Sequence, residues 1–411
     1  MPNQLITNLV FQGGSVKGIA YVGAMDRLDM SKIKRVAGTS AGSITAGLLA
    51  VGCTPKDVKD LLDEFDFEAI LDDGVGATYT RGKVLKTVDK VSNGKSPVLA
   101  VKPLKVPNPV VVKPTSSDDT KTSKLVKPTE PVKMFKPVKK VVAHRLYQQG
   151  GLYEGEYLRL WLEGKIQEQV KKLTNGAHTG ENLTFAELHQ LTLDYPNVGF
   201  RDLKVVASNF TRGEKKVFSC DNPEYKDVII SDAIRMSMSI PGLFKPYQVY
   251  AKIDGVRCVL NAEMWEDGGV YDNYPIDCFD EERYMDEDEE MFEAEDGRRY
   301  NQQTLGFRLV SAEHKKYCED LRDNGEGEKP RENKDGFIGV ASGLLSARTP
   351  LQEERYNRKE NLERTVYIDH LNVSMFSFNL SDERKAALVQ SGEEAVDAYL
   401  ERQAPVAIPV F

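Results

Sequence analysis

A serine stands between two glycines in the stretch Gly38-Thr39-Ser40-Ala41-Gly42. The G-x-S-x-G spacing is typical of a sharp turn between a strand and a helix that holds a nucleophilic serine. Apolar and β-branched residues precede Ser40, and small residues follow it, as such a turn requires. The alternative is a tight turn without chemistry. Because a serine hydroxyl is a weak nucleophile at neutral pH, the chemical interpretation requires a neighbouring base.

Two kinds of residue could supply that base. The chain has five histidines, and the late position of His370 in "YIDHLN" makes it the best candidate among them: His144, His178, His189, His314 and His370. Asp267 is the second kind, since Gly268 and Gly269 follow it and allow the backbone to approach closely. A carboxylate can act as a general base when a dry site raises its proton affinity. The alternative for Asp267 is an ordinary Asp-Gly turn.

A second glycine-rich stretch, Gly13-Gly14-Ser15-Val16-Lys17-Gly18, follows the first apolar segment. A dinucleotide-binding turn is excluded, because the third glycine of that motif is replaced by Ser15 and no acidic residue stands about 20 positions later. Consecutive small residues at a helix N-terminus can instead present backbone N–H groups to an oxyanion. A turn that only packs the strand on the helix is the alternative.

Apolar segments and segments of helical periodicity alternate along most of the chain, which is typical of a parallel sheet with helices on both faces. We therefore expect an α/β fold of three layers, with a mainly parallel central sheet. The uncharged stretch 36–54 has the length of a membrane span, but its glycines and hydroxyls favour a strand followed by a buried helix. Thr54 and Thr184 are predicted helix N-caps.

The region from about residue 93 to 142 differs in composition, since lysine, proline and valine recur as in "VVKPT" and "LVKPT". Proline removes backbone donors, so we expect an extended, disordered insertion. It could be a solvated spacer or a polybasic tether to anionic lipid. The acidic stretch 280–297 is expected to be a solvated surface segment.

The net charge, the cysteine spacing and the first residues of the chain argue against several classes of function. The formal net charge of −8 argues against a nucleic-acid-binding protein. The five cysteines are widely spaced and form no C-x-x-C pair, so we expect reduced thiols and no cysteine-based zinc site. No basic and apolar leader opens the chain, which argues against a cleaved secretory signal.

Taken together and in order, the two glycine-rich stretches and Asp267-Gly268-Gly269 resemble the motifs of the patatin-like phospholipases. The segment "SMSIPGLFKPY", residues 237–247, is similar to that family's proline-containing loop. The resemblance covers residues 5–395, interrupted by the insertion at 93–142, and leaves 396–411 as a C-terminal tail.

The resemblance implies a Ser–Asp dyad without histidine, in which Ser40 is the nucleophile and Asp267 the base. It further implies that the backbone of Gly13, Gly14 and Ser15 holds the oxyanion. The residues that support the motifs are Lys17, Gly18, Gly38, Gly42, Gly268 and Gly269. One departure is that Ser15 stands where the family commonly has a glycine, which would strain Ser15 if its φ must be positive.

The expected function is that of a calcium-independent lipid acyl hydrolase, a phospholipase A or lysophospholipase, with no metal and no cofactor. The alternatives are an acyltransferase or esterase on another ester, and a degenerate fold that binds lipid or protein. The resemblance implies transient contact with a phospholipid membrane surface and, as in the family's bacterial toxins, a protein activator. A cytoplasmic enzyme and an effector exported into a host cell by a non-classical route both fit.

Overall fold

The computed structural model describes residues 5–72, 149–286, 290–330, 349–374, 377 and 379–403. The insertion predicted at 93–142 lies outside the described residues. The strands are β1 (Asn8–Phe11), β2 (Arg35–Thr39), β3 (Gly151–Tyr153), β4 (Asp202–Asn209), β5 (Glu214–Phe218), β6 (Gly242–Phe244), β7 (Tyr247–Ile253), β8 (Val256–Asp267), β9 (Phe292–Glu293), β10 (Arg299–Tyr300), β11 (Thr304–Val310) and β12 (Thr365–Asp369).

The α-helices are α1 (Ala20–Asp26), α2 (Ala41–Ala50), α3 (Pro55–Glu64), α4 (Glu156–Leu173), α5 (Phe185–Asp194), α6 (Ile230–Ser237), α7 (Gly269–Asp272), α8 (Ala312–Asn324), α9 (Thr349–Tyr356), α10 (Lys359–Glu363) and α11 (Asp382–Gln403). A 3₁₀-helix, Ser15–Ile19, leads into α1. Two further 3₁₀ turns are Met30–Lys32 and Glu282–Tyr284.

The central sheet has eight strands in the order β12-β11-β1-β2-β4-β8-β7, with β5 paired to β4. The five strands from β12 to β4 are parallel to one another. The strands β5, β7 and β8 are antiparallel to theirs. The predicted α/β fold with a mainly parallel sheet is therefore confirmed, with an antiparallel extension on one side.

Alternate residues of the central strands point to opposite faces of the sheet, and both faces are covered. Leu9 and Phe11 of β1 pack in the main apolar core with the helices. Val10, between them, packs in a second cluster that includes Tyr274 and Tyr356. Burial on both faces is what makes these parallel strands continuously apolar in sequence.

The helix α2 is buried at all ten of its residues, which are small, apolar or hydroxyl-bearing. The interpretation of the stretch 36–54 as a strand followed by a buried helix is thus confirmed. Both predicted N-caps are present, Thr54 on α3 and Thr184 on α5, and each forms a capping box. Among the described residues, no helix combines the length and apolar character that a membrane span needs.

The last helix, α11, runs to Gln403, so the domain boundary predicted at residue 395 falls inside it. The physical reason is packing, since Val396 and Tyr399 are buried and continue the apolar face that begins with Leu388. Residues 151–153 form the short strand β3, which pairs with β6.

Candidate active site

Ser40 follows the end of β2 and occupies the N-cap position of α2, although its side chain forms no capping hydrogen bond. Its backbone has φ +51° and ψ −129°, a strained conformation for a non-glycine residue, and it is 5% exposed. The elbow is so tight that a Cβ on Gly38 would lie 2.3 Å from the backbone of Gly42. A Cβ on Gly42 would lie 2.3 Å from the carbonyl oxygen of Phe11. The two glycines of the motif are therefore required by the close approach of backbones.

Asp267 lies at the end of β8, opposite Ala207 of β4. Since β4 separates β2 from β8, the chain after Asp267 must cross the end of β4 to reach Ser40. Gly268 makes that crossing possible, because a Cβ there would lie 2.2 Å from the carbonyl oxygen of Val206. The Asp-Gly-Gly stretch is thus a strand-to-helix turn that leads into α7.

The hydroxyl of Ser40 donates a hydrogen bond of 2.6 Å to Oδ2 of Asp267. The other carboxylate oxygen, Oδ1, accepts from the amide of Gly269 at 2.7 Å. Burial raises the pKa of Asp267 to about 6, although its hydrogen bonds with Ser40 and Gly269 act in the opposite direction. Asp267 is 3% exposed, so the structure brings the two predicted residues together in a dry environment.

The end of α6 contacts Ser40 from another side. The amide of Ser40 donates to Oγ of Ser237 at 2.8 Å, and that hydroxyl donates to the carbonyl of Val206 at 2.6 Å. The sulfur of Met238 lies 3.4 Å from Oγ of Ser40. The sequence identified the segment 237–247 by resemblance but assigned no role to these two side chains. The sequence of this segment does not indicate which strand the side chains of Ser237 and Met238 contact.

The glycine-rich loop lies beside the elbow, since a Cβ on Gly13 would lie 3.0 Å from Cβ of Ser40. The amide of Gly13 donates to the carbonyl of Asn273 at 3.0 Å, so it is already paired. The first backbone hydrogen bond of the following 3₁₀-helix runs from the amide of Lys17 to the carbonyl of Gly14. The amides of Gly14 and Ser15 precede the first donor of that helix. The amide of Gly13 is paired with Asn273, which differs from the prediction that the backbone of all three residues holds the oxyanion.

Ser15 has φ +54°, so the strain anticipated from the missing glycine is present. A non-glycine residue in this region costs roughly 1–2 kcal/mol. Lys17 is half-buried beside the loop, and burial lowers its pKa to about 8. A Cβ added at Gly18 would make only ordinary contacts, since it would lie 3.6 Å from the ring of Tyr21.

The histidine candidates lie away from Ser40 in the sheet. His370 follows β12, which is three strands from β2 on the side opposite to Asp267. At a spacing of about 4.8 Å per strand, that separation is about 14 Å. Burial, together with the charge of Lys17, lowers the pKa of His370 to about 4. His178, His189 and His314 lie in a loop, in α5 and in α8, and His144 lies outside the described residues.

Among the described residues, one group of side chains could hold a metal ion: His189, Asp202 and Cys220. Nδ1 of His189 lies 2.8 Å from Oδ1 of Asp202, within hydrogen-bond distance. Asp202 begins β4 and pairs with Arg35 at the start of β2, whereas Ser40 follows the end of β2. The group therefore lies at the opposite end of the sheet from Ser40 and takes no part in its chemistry.

The sequence model of the patatin-like phospholipase family matches residues 9–280. The uncharacterized protein YqhO of Bacillus subtilis (strain 168) is 23% identical over 400 residues, covering 96% of this chain and 97% of that protein. A probable lipid hydrolase of invertebrate iridescent virus 6 is 22% identical over 271 residues, covering 66% of this chain and 61% of that protein.

Two solved structures are similar to this chain at lower sequence identity. VipD from Legionella pneumophila has a TM-score of 0.46 and 18% identity, covering 97% of this chain and 67% of that one. ExoU, described as a type III effector, has a TM-score of 0.44 and 16% identity. This chain spans 53% of the ExoU chain.

The family match includes the elbow at Ser40, the glycine-rich loop and Asp267, and it covers about two thirds of the sequence. The chain belongs to the patatin-like phospholipase family.

Proposed function

We propose that this protein is a lipid hydrolase, specifically a calcium-independent acyl hydrolase of the phospholipase A or lysophospholipase type. Family membership and a viral relative named as a probable lipid hydrolase support the lipid class of substrate. The observation that carries the proposal is the 2.6 Å hydrogen bond from Oγ of Ser40 to Oδ2 of Asp267. A buried carboxylate in that position is a suitable general base.

In the proposed first half-reaction, Oγ of Ser40 attacks the carbonyl carbon of an ester while its proton passes to Asp267. The tetrahedral intermediate collapses, the lysophospholipid or alcohol leaves with that proton, and an acyl-Ser40 remains. The raised pKa of Asp267 suits this role, because a base with a pKa near the working pH accepts and returns a proton readily.

The proposal assigns the oxyanion to the amides of Gly14 and Ser15. The amide of Gly13 donates to Asn273, so it is not assigned to the oxyanion. Gly13 instead allows the glycine-rich loop to approach Ser40 closely. The N-terminus of α2, which begins directly after Ser40, adds a favourable dipole for the negative charge. Loss of a single oxyanion donor in a serine hydrolase costs about 10²–10³-fold in kcat.

In the second half-reaction a water molecule takes the place of the leaving group. Asp267 removes its proton, hydroxide attacks the acyl carbon, and the fatty acid leaves as Ser40 regains its proton. Backbone amides polarise the ester carbonyl in both steps. The scheme therefore predicts that activity persists when EDTA removes divalent cations.

The surroundings of the reaction are part of the same proposal. The substrate would be reached by transient contact with a phospholipid membrane surface. A protein activator and export into a host cell by a non-classical route are alternatives to a self-sufficient cytoplasmic enzyme. Addition of a eukaryotic lysate to the assay distinguishes the activated from the self-sufficient enzyme.

The test is fatty-acid release from mixed phospholipid vesicles in EDTA, with and without lysate, for wild type, Ser40→Ala and Asp267→Ala. We expect release by wild type and a loss of at least 10³-fold in both variants. Full activity of Ser40→Ala would overturn the scheme. Absence of release from every protein, even with lysate, would favour a binding function or another ester.

A further inference from the structure

We infer that Gln352 is a positioning residue for the Ser40–Asp267 pair, through its contacts with the turn of residues 267–273. The inference rests on the function proposed above. Gln352 lies on α9, outside the residues 9–280 that the family model matches, so nothing in the family match assigns it a role.

The inner side of this turn contacts each part of the site. The amide of Gly269 donates to Oδ1 of Asp267 at 2.7 Å. The carbonyl of Asp272 accepts from Oγ1 of Thr39, the neighbour of Ser40, at 3.0 Å. Asn273 exchanges two hydrogen bonds with Gly13, one through its carbonyl and one through Nδ2, at 3.0 and 3.1 Å. A displacement of the turn would therefore move the base, the elbow and the glycine-rich loop together.

The outer side of the turn contacts one amide side chain. Oε1 of Gln352 accepts from the amide of Asn273 at 3.1 Å. Nε2 of Gln352 donates to the carbonyls of Gly269 and Val270, both at the longer distance of 3.4 Å. Gln352 thus joins the first and last parts of the turn, and it is 9% exposed.

The side chain of Gln352 is itself held in place. The hydroxyl of Tyr356, one helical turn later, donates to Oε1 of Gln352 at 2.8 Å. Asp272 is fully buried and forms ion pairs with Arg355 of α9 and with Lys215 of β5. The helix is therefore fixed against the turn by charge, and Gln352 reaches the backbone from a defined position.

A purely structural role is the alternative to test. A buried glutamine can satisfy backbone groups and stabilise the fold without any effect on proton transfer. A positioning role predicts more, since a looser turn would change the hydrogen bond from Ser40 to Asp267 and admit water to the carboxyl group. Hydration would move the pKa of Asp267 down from about 6, towards its ordinary value.

The experiment measures how fast a fluorophosphonate labels Ser40 in the full-length protein, as a function of pH. In this reaction the Oγ–P bond forms, fluoride leaves, and the serine proton passes to Asp267, so no lipid substrate is required. The variant is Gln352→Met, which keeps the volume and removes the amide. Controls are Leu351→Ala, an exposed neighbour on the same helix, and Val396→Ala, a buried position on α11 that lowers stability remotely.

We expect Gln352→Met to slow labelling about tenfold, because small misplacements of reacting groups are costly. We also expect the acidic limb of its rate profile to move to lower pH. Leu351→Ala and folded Val396→Ala should label at the wild-type rate, even where Val396→Ala lowers the melting temperature more. If Gln352→Met does not fold, Gln352→Asn, whose amide is one methylene shorter, is measured in the same way.

A wild-type rate and an unchanged pH profile in the folded Gln352 variant would overturn the positioning role and leave the proposed function intact. Absence of labelling of Ser40 in the wild type at every pH, both with and without eukaryotic lysate, would overturn the proposed function, and with it this inference. The two failures are therefore distinguishable in one experiment.

Discussion

A serine and a carboxylate that share one hydrogen bond carry the proposed chemistry, and both are held in conditions that cost stability. Ser40 has a positive φ. The carboxyl group of Asp267 is buried, and no cationic side chain is among the groups that shift its pKa. Strained backbone and desolvated charge are typical of functional sites, where they prepare groups for reaction. Tight glycine contacts around both residues keep them in this arrangement.

The burial of Asp267 predicts the pH dependence of the reaction. Only the ionised carboxylate can accept the proton of Ser40, so activity should decline as pH falls through the pKa of about 6. Each further pH unit below that value should lower kcat/KM about tenfold. The measurement is kcat/KM for fatty-acid release between pH 4.5 and 8.5.

Asp267→Asn serves as the control for this pH profile. Asparagine keeps the shape and cannot accept the proton, so residual activity should be at least 10³-fold lower and free of an acidic limb near pH 6. A wild-type profile without an inflection between pH 5 and 7 would contradict the assignment of Asp267 as the base.

Spacing in the sequence made Ser40 and Asp267 candidates, because glycines around them allow the backbone to approach closely. The resemblance to the patatin-like phospholipases then supplied their expected roles. The sequence could not predict that the amide of Gly13 is paired with Asn273, since that contact joins residues 260 positions apart. Gln352 and Ser237 were missed for the same reason. Their role depends on which backbone they contact, and their residue types carry no signal of it.

At the scale of elements, local patterns predicted the parallel strands and the capped helices. The hairpin of β7 and β8 was missed, although it delivers Asp267 to the site. Its strands are largely half-exposed and carry no simple apolar alternation. The turn at Asp254 and Gly255, both with positive φ, is the Asp-Gly hairpin signal that could have revealed it.

The extent of α11 illustrates a different limit. The resemblance placed the domain boundary at residue 395, in the middle of this helix. The fold extends further because α11 packs against α1 and β12 and buries Val396 and Tyr399.

At the scale of the molecule, charge is unevenly distributed. The stretch 93–142 has eleven lysines and three acidic residues, a charge of +8 in a chain whose total is −8, so the remainder carries −16. The described chain on the two sides of this region is joined, because the amide of Glu154 donates to the carbonyl of Asp72 at 2.9 Å. The carboxylate of Asp72 also accepts from the amide of Tyr157 at 2.6 Å.

This joining predicts that residues 93–142 can be replaced by a short glycine–serine linker. We expect the melting temperature and the activity on phosphatidylcholine vesicles to be unchanged, the latter within about twofold. Loss of folding would contradict the assignment of this stretch as an insertion. Activity on anionic vesicles then decides its role, since a polybasic tether would be lost and a spacer would not.

In the proposed mechanism Ser40 is a nucleophile that Asp267 activates. The most direct measurement is peptide mapping by mass spectrometry after reaction with a fluorophosphonate, for wild type, Ser40→Ala and Asp267→Asn. We expect one adduct in wild type, on the peptide that contains Ser40, no adduct in Ser40→Ala, and greatly slowed labelling in Asp267→Asn. An adduct on another serine, or labelling of Asp267→Asn at the wild-type rate, would overturn the assignment of Ser40 and Asp267.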